Sequence, residues 1–123
     1  MSSIPAAILC IDDEEPALVV RRILLEKAGY RVFTALTGKQ GIETFRFQPI
    51  DVVILDYWMA DMDGLDVAAE LKALSPKTPI IMLSGYASIL DESMGKVDLW
   101  LRKGERDPEH LLEAVRSLLS DRR

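Results

Sequence analysis

The residues best suited to chemistry are three acids, one hydroxyl and one amine, each placed shortly after an apolar segment: Asp12, Asp13, Asp56, Ser84 and Lys103. Three crowded carboxylates repel one another and favour a hard divalent cation. Mg²⁺ suits such a set because it takes one or two carboxylates, keeps several waters and accepts phosphate oxygens. A hydroxyl and an ammonium can hold further phosphate oxygens, and a carboxylate can itself accept a phosphoryl group as an aspartyl phosphate. If the fold brings these side chains together, the sequence predicts phosphoryl transfer to a carboxylate.

The elements that must position these residues alternate along the chain. Strands are predicted at 6–11, 30–36, 51–55, 78–85 (a strand and a turn) and 97–101. Helices are predicted at 16–29, 37–48, 64–74, 89–94 and 107–119. Proline stands at the first turn of the first and last helices, and Asp107 is the predicted N-cap of the last one. In the second helix, Ile42, Phe45 and Phe47 are expected to face inward.

The βα order, repeated five times, predicts the fold class. The segments 7–11, 51–55 and 79–83 are apolar without alternation, which is typical of strands buried on both faces. We therefore expect a parallel sheet with helices on each side. The carboxyl ends of parallel strands emerge at one edge, where ligands usually bind. The acids, the hydroxyl and the amine should converge in one crevice at that edge.

Composition narrows the classes of protein. A chain of 123 residues with 49% apolar residues predicts one domain with a continuous core. The net charge of −5 and the lack of a Lys/Arg run argue against direct nucleic-acid binding. No signal peptide and no membrane-spanning run are recognisable, so a cytoplasmic protein without a membrane partner is expected. The single cysteine, Cys10, is expected to be a small buried hydrophobe.

Four segments carry a resemblance to a known family. ILCIDDEEP, VVILDYWMADMDGLD, IIMLSGY and LWLRKG resemble, in order, the signature segments of bacterial response-regulator receiver domains. The resemblance covers essentially the whole chain and implies a single receiver domain over 1–123. It also implies a doubly wound, flavodoxin-like (βα)5 fold whose five parallel strands have the order 2-1-3-4-5.

The resemblance also assigns a metal site. Asp56 would be the phosphoacceptor and a ligand to Mg²⁺. Asp13 would bind the ion directly, and Asp12 would act mainly through water. The backbone carbonyl of Trp58 would supply a further ligand.

Three other residues acquire roles by the same resemblance. Ser84 would bond one phosphoryl oxygen and Lys103 another, and Ser84 and Trp100 would form the switch. Two departures bear on these roles: Gly104 stands where the family usually has a proline, and Trp58 is unusually bulky beside the acceptor. The predicted fourth helix is also shorter than usual.

The implied function is that of a phosphoacceptor module in a two-component system, which catalyses only its own phosphorylation and dephosphorylation. Its donor would be a sensor histidine kinase or a phosphotransfer protein, and an unknown protein would read its state. A phosphorylation-dependent dimer is among the outputs that the family uses.

Several alternatives stay open beside this reading. The chain could be a degenerate receiver that binds partners without phosphate. It could also be a phosphatase with an aspartyl nucleophile, although such enzymes commonly have an acid two residues later, where this chain has Trp58. Asp12 and Asp13 could cap the first helix. Asp61 and Asp63 are expected to be loop and N-cap residues.

Overall fold

The computed structural model describes residues 4–85, 97–102 and 108–120. Its strands are Ala7–Ile11 (β1), Arg31–Ala35 (β2), Val52–Asp56 (β3), Ile80–Ser84 (β4) and Leu99–Arg102 (β5). The helices of this part of the chain are Glu15–Lys27 (α1), Gly38–Phe47 (α2), Gly64–Leu74 (α3) and Pro108–Ser120 (α4). The predicted helix at 89–94, the predicted N-cap Asp107, and Lys103 with Gly104 lie outside the described residues.

The five strands form one parallel sheet in the order β2-β1-β3-β4-β5. This confirms the predicted fold class and the strand order. The central strands β1, β3 and β4 are buried at every residue, as their unbroken apolar sequence predicts. Ile11 is paired with Leu55, and Asp56 with Leu83, so these three strands end at nearly the same level of the sheet.

The core consists of two apolar clusters, one on each face of the sheet. Alternate residues of a strand serve opposite faces, since Leu9 belongs to the cluster under α2 and α3 while Ile8 and Cys10 belong to the cluster under α1 and α4. Cys10 is fully buried, as predicted. The sheet is therefore covered on both sides, which leaves its carboxyl edge as the natural place for a site.

Three helix boundaries follow from local sequence. Proline lies in the first turn of α1, where its missing N–H is no loss. Thr37 caps α2 by accepting from the Gln40 N–H, and Asp63 caps α3 by accepting from the Asp66 N–H. Asp63 is thus the N-cap residue that the sequence predicts.

Two local predictions need correction. Phe47 is 71% exposed and not inward, because it ends α2 two residues after the half-buried Phe45 and so lies on another side of the helix. The last strand begins at Leu99, two residues later than predicted. Before it, the Asp98 carboxylate accepts from the Ile80 N–H at 2.7 Å, so this residue engages its neighbour through its side chain as well as its backbone.

Candidate functional site

The site is built at the carboxyl ends of the three central strands. Asp56 and Ser84 are the last residues of β3 and β4, and Asp12 follows β1 directly. Asp12 is 0% exposed, Asp56 2% and Ser84 4%. The sequence predicts that these side chains meet at one edge, and the strand order β1-β3-β4 makes their strands immediate neighbours.

Three carboxylates form one cluster. Asp12, Asp13 and Asp56 each offer an oxygen within 4.8 Å of the others. Asp13 is exposed and, with Glu14, Asp56 and Trp58, lines an open pocket of about 340 Å³. Carboxylates held this close, two of them buried, favour a divalent cation over mutual repulsion. Hard oxygen donors that open on one side to solvent suit Mg²⁺, which retains several waters. The residues present therefore fit a magnesium ion.

Asp12 is held by two contacts within the described residues. Its Oδ1 accepts from the Glu14 N–H at 2.9 Å, and its Oδ2 pairs with Arg21 Nη2 at 3.2 Å. The N-cap residue of α1 is Glu14, whose own side chain makes no capping bond. Asp12 therefore accepts from the N–H of the N-cap residue, Glu14, and is not itself the N-cap of α1.

Asp13 has a different kind of contact. Its Oδ2 accepts from the backbone N–H of Ala60 at 3.1 Å. Ala60 belongs to the loop 57–63 between β3 and α3, so this bond joins the loop after β1 to the loop after Asp56. Asp13 is therefore a loop-to-loop contact and not a cap of α1.

The loop 57–63 is fixed at both ends. The Tyr57 N–H donates to the Leu83 carbonyl at 2.9 Å, and the Gly64 N–H donates to the Tyr57 carbonyl at 2.7 Å. A Cβ on Gly64 would lie 2.8 Å from Tyr57 Cα and 2.9 Å from the carbonyl oxygen of Asp56. Glycine is thus required for the close approach of α3 to the backbone of Asp56.

Asp61 ties the same loop to a second helix. Its two carboxylate oxygens accept from the Gly38 and Lys39 N–H groups, at 2.9 Å and 3.0 Å, in the first turn of α2. Slight burial raises the pKa of Asp61, but these backbone hydrogen bonds outweigh it and hold the pKa below 3.8. The sequence predicts a loop acid at this position, and the structure adds the helix that it contacts.

The aromatic residues near the site differ in burial. Trp58 is 57% exposed and meets the Tyr57 ring edge-on, with centroids 5.0 Å apart. Trp100 is half-buried against the cluster under α2 and α3, 6.2 Å from the Tyr57 ring. Its indole nitrogen is buried and has no hydrogen-bond partner in the described part of the chain. Trp100 therefore borders the loop 57–63 through Tyr57.

Arg21 is the site residue that the sequence analysis missed. It lies three residues after the buried Leu18 and four before the buried Leu25, so helical spacing places it on the inward side of α1. An arginine at a core-facing position is unusual unless it is paired, and this spacing was the available signal.

Comparison with known proteins agrees with this architecture. The model of the response regulator receiver domain family matches residues 8–116. The transcriptional regulatory protein ZraR of Escherichia coli is 38% identical over 82 residues, which are 67% of this chain and 19% of ZraR. The autoinducer 1 sensor kinase/phosphatase LuxN of Vibrio campbellii is 33% identical over 114 residues, which are 93% of this chain and 13% of LuxN. The chain thus spans a fifth or less of these curated relatives.

The fold also matches that of a solved response regulator. The response regulator protein TrrA of Thermotoga maritima, crystallised in complex with Mg(2+)-BeF, has a TM-score of 0.87 and is 31% identical. The match covers 93% of this chain and 99% of the TrrA chain.

A doubly wound α/β sheet with buried acids at its carboxyl edge defines the class of protein, and the family match makes it specific. The chain belongs to the response regulator receiver domain family. Receiver domains are the phosphoacceptor modules of two-component signal transduction; they bind Mg²⁺ at an acidic pocket and take phosphate from histidine kinases. Membership indicates a signalling module and not a conventional enzyme. Among the described residues, no helix has the length and apolarity needed to cross a membrane.

Proposed function

We propose that the chain is a single receiver domain over 1–123 that accepts a phosphoryl group on Asp56 in a Mg²⁺-dependent reaction. The donor is a histidine kinase or a phosphotransfer protein. The observation that carries this proposal is the place of Asp56: it ends a central strand, is 2% exposed, and shares a cluster with two other carboxylates beside an open pocket. Burial of a charged carboxylate costs free energy unless a cation or hydrogen bonds compensate, so three acids gathered here favour a bound cation.

The proposed metal ligands follow the family resemblance, and the cluster of three carboxylates supports them. Asp13 and Asp56 would hold Mg²⁺ directly, together with the backbone carbonyl of Trp58. Asp12 would act through water, because both of its oxygens already accept from Glu14 and Arg21. When bound, the ion would supply positive charge against the carboxylates and the incoming phosphate oxygens.

The chemistry belongs to Asp56. One of its carboxylate oxygens attacks the phosphorus, the phosphorus–nitrogen bond to the donor histidine breaks, and an acyl phosphate forms. The Ser84 hydroxyl donates to one phosphoryl oxygen, and Lys103 pairs with another. Ser84 is 4% exposed at the end of the adjacent strand, which supports its part in this step. Hydrolysis of the acyl phosphate returns the domain to its first state.

The output is a shift between two conformations, read by a protein partner or by a second phosphorylated copy. Ser84 and Trp100 are the proposed switch, and the position of Trp100 beside Tyr57 supports the link to the loop after Asp56.

A degenerate receiver remains the competing function, since Gly104 replaces the usual proline. The phosphatase alternative is disfavoured, because the position of its acid is held by Trp58, whose side chain is neutral.

The test is an intact-mass measurement after incubation with acetyl phosphate and Mg²⁺. Wild type and Asp66→Asn are expected to gain one phosphoryl group, and Asp56→Asn none. Asp66 is an exposed acid of α3, so its variant controls for the loss of one negative charge. A gain in Asp56→Asn would contradict the assignment of the acceptor. If wild type binds Mg²⁺ yet takes no phosphoryl group from acetyl phosphate or from phosphorylated kinases, the domain is a degenerate receiver.

A further inference from the structure

We infer that Arg21 is a positioning residue of the metal site: it holds Asp12 and acts as a built-in counter-cation to the three carboxylates when no metal is bound. The inference rests on the proposed Mg²⁺ site and adds to it a residue that tunes how tightly the ion binds. It does not depend on the identity of the phosphoryl donor.

The contact is a largely buried ion pair that includes Asp12, one of the three clustered carboxylates. Arg21 Nη2 lies 3.2 Å from Asp12 Oδ2, with side-chain exposures of 11% and 0%. The helical face that places Arg21 here also carries the buried Leu18 and Leu25, so its stem runs along the apolar side of α1. At this burial the pair is poorly screened by solvent, and its charges act strongly on one another and on neighbouring groups.

Packing alone does not account for an arginine at this position. Its second terminal nitrogen, Nη1, is buried with no hydrogen-bond partner among the described residues, which costs free energy. Replacement of both partners of a buried ion pair by apolar side chains often costs no stability, whereas removal of one partner leaves the other charge unpaired. A residue such as methionine would cover the same surface without an unsatisfied donor. What the arginine adds is its positive charge, placed on the most buried of the three acids.

Arg21 and a divalent cation therefore offset the same negative charge. With Arg21 present, the cluster carries less net negative charge, and the pull on Mg²⁺ is weaker than three carboxylates alone would exert. Without the guanidinium, Asp12 remains fully buried and loses a cationic partner. The metal-free protein should then be destabilised, and Mg²⁺ should bind more tightly and restore more of the stability.

The experiment compares wild type with Arg21→Met, Arg21→Lys and Arg22→Met. For each protein, Mg²⁺ affinity is measured by calorimetric titration, and Tm is measured with and without saturating Mg²⁺. Arg22 is the adjacent, exposed arginine of α1, so Arg22→Met removes the same charge without touching Asp12.

The inference predicts a specific pattern. Arg21→Met should bind Mg²⁺ roughly three- to tenfold more tightly than wild type, the order expected for one removed charge close to a divalent ion. Its rise in Tm on addition of Mg²⁺ should exceed that of wild type. Arg21→Lys, which keeps the charge, and Arg22→Met, whose charge is screened by solvent, should stay within about twofold of wild type in affinity.

Other results would overturn the inference. If Arg21→Met and Arg22→Met show equal rises in Tm and unchanged affinity, Arg21 is a structural contact only. Weaker Mg²⁺ binding in Arg21→Met would equally contradict a counter-cation. If Arg21→Met does not fold without Mg²⁺, Arg21→Gln takes its place, since its amide can still donate to Asp12 but carries no charge.

The outcomes also separate this inference from the proposed function. A wild type that binds Mg²⁺ but takes no phosphoryl group would leave the comparison of arginine variants intact. Absence of a Mg²⁺ response in every protein would remove the metal site and the inference together.

Discussion

At the scale of single residues, polar and charged side chains are buried together at one edge of the sheet. The buried polar side chains of the described residues are Asp12, Asp56 and Ser84, and all three lie at the ends of central strands. Burial of a carboxylate costs free energy unless a cation or hydrogen bonds compensate. The free energy gained by burial of the apolar core offsets the cost of burying these polar groups, as is usual at functional sites.

Cys10 illustrates the opposite case, a reactive group made inert by burial. Burial raises the pKa of its thiol from 9.0 to about 12; Arg21 opposes this rise and Asp12 adds to it. The thiolate is the nucleophile, so the native protein should not react with iodoacetamide at pH 8. One equivalent should react in denaturant, as peptide mass spectrometry would show. Rapid alkylation of the native protein would contradict the burial of this residue.

The same shift predicts a dependence of stability on alkaline pH. The thiol of the unfolded chain ionises near 9.0 and that of the folded chain near 12. Because the folded-state pKa is the higher one, the stability contributed by the neutral thiol is complete below pH 9 and is lost as pH rises towards 12. The difference in free energy of unfolding between wild type and Cys10→Ala, from urea titrations, should therefore shrink over this range. A constant difference would exclude the mechanism.

At the scale of elements, one loop couples two helices to the site. The loop 57–63 follows Asp56, contacts Asp13 through the Ala60 N–H, and contacts α2 through Asp61. Helix α2 contributes none of the three clustered carboxylates. A change in this loop upon phosphorylation would therefore be transmitted to the start of α2 as well as to α3.

Asp61→Asn should destabilise the protein, because an amide has one acceptor oxygen where the carboxylate has two, and because it loses its charge at the positive end of α2. We expect a loss of about 1 kcal/mol in the free energy of unfolding, the usual effect of a lost cap. Urea unfolding at neutral pH would measure it, with Glu43→Gln on the exposed side of α2 as control.

The effect should also depend on pH. The pKa of Asp61 is lower in the folded state than the ordinary 3.8. Its stabilising contribution is therefore present above that value and is lost as pH falls through the lowered folded-state pKa. Wild type and Asp61→Asn should converge in stability at strongly acidic pH. A difference that persists there would show that the carboxylate charge is not responsible.

At the scale of the whole molecule, acids at the two edges of the sheet have different tasks. At the amino edge, Asp51 accepts from the Ala7 N–H and Asp98 from the Ile80 N–H, each at 2.7 Å. Asp98 also pairs with Lys72 at 2.7 Å. These carboxylates bond the first residues of neighbouring strands. At the carboxyl edge, three acids have carboxylate oxygens that lie within 4.8 Å of one another.

Variants at the two edges should therefore differ both in stability and in their response to Mg²⁺. Asp98→Ala should lower the free energy of unfolding by about 1–3 kcal/mol, because the Ile80 N–H loses the carboxylate acceptor. The Lys72 ammonium loses its charged partner and keeps the carbonyl oxygens of Pro76 and Thr78. The gain in stability of this variant on addition of Mg²⁺ should equal that of wild type. Asp13→Asn should keep or raise stability without Mg²⁺, since repulsion is relieved and the amide oxygen can still accept from Ala60, but it should lose most of the Mg²⁺ effect. Urea unfolding with and without Mg²⁺ measures both, and equal Mg²⁺ effects in the two variants would contradict the division.

Much of this architecture could be read from local sequence. Unbroken apolar segments predict parallel strands that are buried on both faces. The acids that follow these segments predict a site at the carboxyl ends of the strands. Both predictions need only the local order of residues. Local sequence also predicts the bounds of α3, Gly64 and Leu74, because the helix begins after a capping aspartate and ends just before Ser75-Pro76. Roles for Ser84, Lys103, Trp58 and Trp100 came from family resemblance and remain predictions.

Contacts between distant segments depend on the packing of the whole chain. Asp61 and Gly38 are 23 residues apart, and Asp13 and Ala60 are 47 apart, so these bonds exist only after the crossovers place the loops side by side. The same holds for the burial of Trp100 beside Tyr57. Helical spacing places Arg21 on the inward side of α1, but its pairing with Asp12 depends on how α1 lies on the sheet. Periodicity determines which side of an element is buried, whereas packing determines what that side touches.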